Sequence, residues 1–114
     1  MAINFETPNP QALLAAFKQA IDQGHVVTWS YDAANNFTHT PEQWKDQAVM
    51  RPTFYQGWLV MNFWVKKAQT ATKPLYGVYH GRFTESMLSH CDTLFSNATS
   101  TAMPTNADRV RAVA

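Results

Sequence analysis

Apolar positions recur at two different spacings along this chain. From Pro10 to Asp22, Leu13, Leu14, Phe17 and Ile21 fall on one side of a 3.6-residue repeat, with Gln11, Lys18, Gln19 and Asp22 opposite. Asn9 ahead of Pro10 puts a capping side chain before a residue whose fixed φ suits the first helical turn, and Gly24 supplies a stop. This pattern predicts an amphipathic helix. From His25 to Tyr31 the repeat shortens to two. Val27, Trp29 and Tyr31 alternate with Val26, Thr28 and Ser30, and the β-branched and aromatic content predicts a strand. Asp32 to Asn36 reads as a loop. Thr40 and Gln43 then have capping-box spacing, which predicts a short helix ending near Asp46.

Two further alternating runs, Val49 to Tyr55 and Trp58 to Lys66, flank Gln56-Gly57, a two-residue hairpin turn with glycine where positive φ is needed. Pro52 has no N–H to give a ladder, so its strand is expected to lie at an edge of the sheet. After a loop over 67–72, Pro74 to His80 alternates again and predicts a third antiparallel run, broken by Gly81. Thr84 would cap a last helix with Met87, Leu88, Cys91, Leu94 and Phe95 inward and Glu85, Ser89, Asp92 and Ser96 outward. Beyond residue 98 the chain is small and polar without periodicity. Residues 1–98 are therefore expected to form one domain and 99–114 a loosely held arm. The expected fold is α+β, with an antiparallel sheet of about four strands and two long helices, N- and C-terminal, on one face. The element order is α-β-α-β-β-β-α.

The hairpin turn fixes a register, and the register separates two faces. Tyr55 opposite Trp58 implies the pairs Phe54–Leu59, Thr53–Val60, Pro52–Met61, Arg51–Asn62, Met50–Phe63 and Val49–Trp64. One face then collects Met50, Pro52, Phe54, Leu59, Met61, Phe63 and Val65, wholly apolar and suited to carry the helices. The other collects Val49, Arg51, Thr53, Tyr55, Trp58, Val60, Asn62 and Trp64. A solvent-facing sheet surface normally reads polar, and this one holds two Trp and a Tyr around an Arg51–Asn62 pair. Three covers suit it: the chain's own arm or the Thr40 helix, a second copy, or a small apolar ligand oriented by Arg51 and Asn62.

Composition narrows the choice. Hydrophobic residues make up 46% and charged residues 15% of 114, which excludes a disordered chain, and about two thirds of the surface of a chain this long is buried on folding. A net charge of +1 with no basic run beyond Lys66-Lys67 and Arg109/Arg111 argues against nucleic acid as a partner. Met1 to Glu6 lacks the basic, apolar and small-residue order of an export signal. The longest apolar stretch, Trp58 to Val65, is interrupted by Asn62, so no membrane span is expected. The single cysteine, Cys91, reads as an inert core thiol and fits a reducing, cytoplasmic setting.

Chemistry-bearing groups are sparse. His25, His39, His80 and His90 show no metal-ligand spacing, and no metal or cofactor is expected. His80-Gly81-Arg82 at the predicted strand-to-helix junction reads as an ordinary turn, with an anion site as the sharper alternative. The sequence thus points to a binding or interaction protein, expected to be a homodimer, whose working surface is Arg51, Thr53, Tyr55, Trp58, Val60, Asn62 and Trp64. The alternative is a small enzyme or ligand carrier using the same face, with His80 as its candidate acid or base. Whether His80 reaches that face depends on the register of the hairpin expected between 58–66 and 74–80.

Overall fold

A computed structural model describes residues 1–66 and 70–110. The fold is α+β: an antiparallel six-stranded sheet and two helices. The elements are β1 (Ala2–Glu6), α1 (Pro10–Asp22), β2 (Trp29–Tyr31), β3 (Phe37–His39), β4 (Ala48–Tyr55), β5 (Trp58–Val65), α2 (Lys73–Cys91) and β6 (Asn97–Ser100), with a short 3₁₀ turn over Asp92–Leu94. The sheet order is β2-β3-β4-β5-β1-β6.

α1 follows the sequence closely. The Asn9 side chain accepts from the Ala12 N–H at 3.0 Å, and Leu13, Leu14 and Phe17 are buried. The β4–β5 hairpin has the expected register at all seven pairs, and Ala48 opposite Val65 extends it by one. Gly57 sits at φ +84°, the left-handed conformation the turn requires. β4 is not the edge strand that Pro52 suggested, since it lies between β3 and β5; β3 pairs with it only at Phe37–Met50, so the missing N–H of Pro52 falls beyond that short ladder.

The rest of the strand count differs from expectation. β1 was not anticipated, yet it lies inside the sheet between β5 and β6. Its alternation puts Ile3 and Phe5 in the core opposite Met61 and Leu59, while Ala2, Asn4 and Glu6 take the other face. Of the strand expected over 25–31, only Trp29 to Tyr31 pairs, with β3 as its partner across the Asp32–Asn36 turn. The Thr40 helix is a single turn: Trp44 and Lys45 N–H groups both reach the Pro41 carbonyl, and Asp46 at φ +61° ends it. Thr40 does not cap that turn; its hydroxyl donates to the Val27 carbonyl at 2.8 Å.

The largest correction concerns 74–80, which is helix and not strand. α2 runs unbroken through Gly77, Gly81 and Thr84. Its true cap is Thr72, whose hydroxyl accepts from the Leu75 N–H, with Pro74 in the first turn. Leu75, Tyr79, Phe83, Met87 and Cys91 repeat every four residues, and all five are buried. Thr84 back-bonds to the His80 carbonyl at 2.8 Å, the mid-helix habit of threonine. His80-Gly81-Arg82 therefore lies in the helix interior, where no helix N-terminus is available to an anion.

Both helices pack on the apolar sheet face. Met50, Leu59, Met61, Phe63 and Val65 are fully buried there, and a network of tilted and edge-on rings (Phe5, Phe17, Trp29, Phe37, Phe83) fills the space between the layers. Phe54, near the turn at 38% exposed, and the half-buried Pro52 are the exceptions. The expected boundary at residue 98 falls inside β6, and the segment after it is tied to the sheet. Thr101 N–H donates to the Ala2 carbonyl, and Arg109 forms a parallel bridge with Trp64. Lys67, Arg111 and the end of the expected arm lie outside the described residues. Among the described residues no helix is long and apolar enough to cross a membrane.

Candidate functional site

β1 runs out at Ala2, opposite Asn62, which leaves the last residues of β5 without a neighbour on that side. The segment Thr105–Arg109 takes the place. Phe63 and Val65 exchange backbone hydrogen bonds with Arg109, at 2.8–2.9 Å. The organising group is Asp108, whose side chain is fully buried. One oxygen accepts from the Asn62 side-chain amide at 2.8 Å and the Phe63 N–H at 3.0 Å; the other accepts from Thr105 N–H at 2.7 Å and Thr105 hydroxyl at 3.0 Å. The Met1 ammonium lies 3.2 Å away. Burial would raise this carboxyl, but the donors from Thr105, Asn62 and Phe63 outweigh it and hold it below the usual carboxylate range.

This anchoring divides the outer face in two. At its inner end Asn62 is only 4% exposed, its amide committed to Asp108 and Thr105, and the Trp64 indole N–H donates to the Ala107 carbonyl at 2.7 Å. Around these residues Arg51, Pro52, Thr53, Asn106 and Arg109 complete a cleft of about 510 Å³. At its outer end Thr53 and Tyr55 are exposed and Trp58 and Val60 half-buried; Tyr55 is 56% exposed. The covering that the sequence left open is thus partly supplied by the chain itself, over Asn62 and Trp64.

Of the expected site residues, Arg51, Thr53, Tyr55, Trp58, Val60, Asn62 and Trp64 share this face by the pairing of β4 with β5. His80 does not join them. It sits on α2 behind the sheet, its ring 5.6 Å from that of Phe63, with Nδ1 against the Tyr76 carbonyl at 2.6 Å and Nε2 buried without a partner. Burial lowers its pKa, and the same holds for His39, whose Nδ1 faces the Thr28 carbonyl. Cys91 is buried, and burial pushes its thiol up. Among the described residues no three His, Cys, Asp or Glu side chains come together as metal ligands would.

Sequence reasoning missed Ala107, Asp108 and Arg109. The signal was Thr105 three residues before Asp108, the spacing at which a carboxylate folds back onto a threonine N–H. No family model, characterised protein or solved structure matches the chain.

Proposed function

We propose that this is a binding protein that works through the outer end of its aromatic sheet face, with a second copy of the chain as the occupant. One observation carries the reading: among the described residues the chain's own tail covers the face at Asn62 and Trp64, and Thr53 and Tyr55 are exposed with Trp58 and Val60 half-buried. On β4 and β5 the open strip carries no charged side chain; Glu6 borders it on β1 opposite Trp58, its carboxylate held by Ser96 and Asn97. A two-fold axis centred on Thr53 and Val60 therefore lets identical strips meet with the two Glu6 side chains apart. Tyr and Trp are the residues such interfaces favour. Each large aromatic buries roughly 150–250 Å², so the contact would lie near the small end of specific interfaces and the dimer would be reversible. A binding role is preferred over a catalytic one because His80, the candidate acid or base, lies behind the sheet.

Val60→Glu tests this. Val60 faces Thr53 on β4 and Asn4 on β1, so a monomer tolerates a carboxylate there, whereas a dimer would bury it at a cost of several kcal/mol. Light scattering at matched concentrations should give a dimer for the wild type and a monomer for the variant, with unchanged helix content. A wild type that stays monomeric at about 1 mM would remove the dimer reading.

A further inference from the structure

The inner cleft presents a different chemistry from the open strip. The Arg51 guanidinium carbon lies 4.2 Å from the centre of the Trp64 ring, and that of Arg109 lies 4.7 Å from the same centre. Two cations therefore share one indole, and both line the same cleft. Arg109 gives one N–H to the Val65 carbonyl at 2.8 Å, and its Nε is buried without a partner. Arg51 is half-buried and has no acceptor for its five N–H donors among the described residues.

Among the described residues one acid, Asp108, lines this cleft, and it does not neutralise the pair. Asp108 is occupied by Asn62, Phe63 and Thr105 and is matched by the Met1 ammonium. Stacking holds a guanidinium by its flat face and leaves its edge donors free in the plane of the group, the geometry that grips a carboxylate with two parallel hydrogen bonds. A second cation on the same cleft wall adds to the positive potential that an anion would meet there. The remaining lining of Pro52, Thr53, Asn106 and Ala107 is uncharged and small, and about 510 Å³ accommodates a single-ring acid.

We propose that the Arg51–Trp64–Arg109 cleft is a binding site for a small organic carboxylate, gripped by Arg51 with Arg109 as the second positive charge. This goes beyond the dimer reading and does not depend on it. Benzoate and benzamide have nearly the same shape and differ in charge, so calorimetric titration with the two reads the carboxylate directly. Benzoate should saturate the wild type within about 20 mM and bind at least about tenfold more tightly than benzamide. Its addition should also shift the indole N–H resonance of Trp64, which reports on the cleft wall. Arg51→Gln should lower benzoate affinity at least about tenfold with no change in melting temperature, and Arg51→Lys should fall between, keeping the charge but not the two-pronged grip. The proposal is overturned by equal binding of benzoate and benzamide, by no saturable binding to the wild type, or by a folded Arg51→Gln that binds as the wild type does. Inorganic phosphate binding as tightly as benzoate would overturn the carboxylate assignment. The benzoate–benzamide comparison needs no variant, so it decides the matter even if Arg51→Gln fails to fold.

Discussion

Asp108→Ala is the most informative single change to the fold. The carboxylate accepts hydrogen bonds from two donors with almost no access to water, the Asn62 amide and the Phe63 N–H, besides those from the more accessible Thr105. Leaving a buried donor unpaired costs about 1–3 kcal/mol, so the two deep ones set a range of about 2–6 kcal/mol. The upper end is out of reach, because the tail can lift away and let water satisfy both donors. The loss is then capped at the free energy with which residues 105–110 dock on β5. We expect about 3 kcal/mol in urea unfolding, together with faster hydrogen exchange at the Phe63 and Val65 amides, which the tail protects. The pH dependence supplies an independent reading. The carboxyl is held lower in the folded state than in the unfolded chain, so it stabilises the fold above the unfolded value of about 3.9, and that contribution is lost as pH falls through the folded value. The gap between wild type and Asp108→Ala should therefore close in acid. A change below about 0.5 kcal/mol with both amides still protected would mean that Asp108 does not anchor the segment.

Two other expectations follow from the same structure. Gly77 and Gly81 lie on the exposed side of α2 with nothing within 4 Å of where a Cβ would stand, so Gly77→Ala and Gly81→Ala should each stabilise the protein by about 0.5–1 kcal/mol in thermal melts; destabilisation by Gly81→Ala would restore the turn that the sequence suggested there. His39 and His80 are buried with lowered pKa values, so the unfolded chain takes up their protons first as pH drops below about 6.5 and stability is lost toward acid. The slope is at most about 1.4 kcal/mol per pH unit for each histidine, and His80→Gln should reduce it below about pH 6.5; an unchanged slope would show that His80 is not protected from water.

The parts of this fold legible in the sequence are those whose signals are local. Asn9-Pro10 and Gly24 bracket α1, and Gln56-Gly57 sets a hairpin whose whole register follows from a two-residue turn. With the register came the two faces, including the unusual aromatic one. α2 was obscured because Leu75 to His80 satisfies a period of two as well as a period of four, and Gly81 looked like punctuation. The decision lies with Phe83, Met87 and Cys91 further on, which continue the four-residue stripe, and with Thr72, which caps it. β1, β3 and β6 are three to five residues long. At that length alternation carries little information, and each exists because a distant strand offers it a ladder. The inner half of the candidate site was hidden for the same reason, since nothing near Asp108 announces that its partners are Asn62 and Phe63.

The position of β1 has a consequence for how the protein reaches this state. β1 pairs on one side with β5 and on the other with β6, and its Ala2 N–H bonds to the Thr101 hydroxyl ninety-nine residues away. The β4–β5 hairpin supplies one of its ladders, and the other comes only when β6 arrives from the far end of the chain. Until both partners are in place, Ile3 and Phe5 are apolar side chains on a strand with an unsatisfied edge, and closing such long loops must precede any gain from pairing. The chain should therefore fold slowly for its size, with the β4–β5 hairpin and the helices assembling first and β1 inserting late. During that interval the β5 edge that receives β1 is open to any other extended segment, including β1 of another molecule. Exchange of this strand between copies is the misassembly the topology invites.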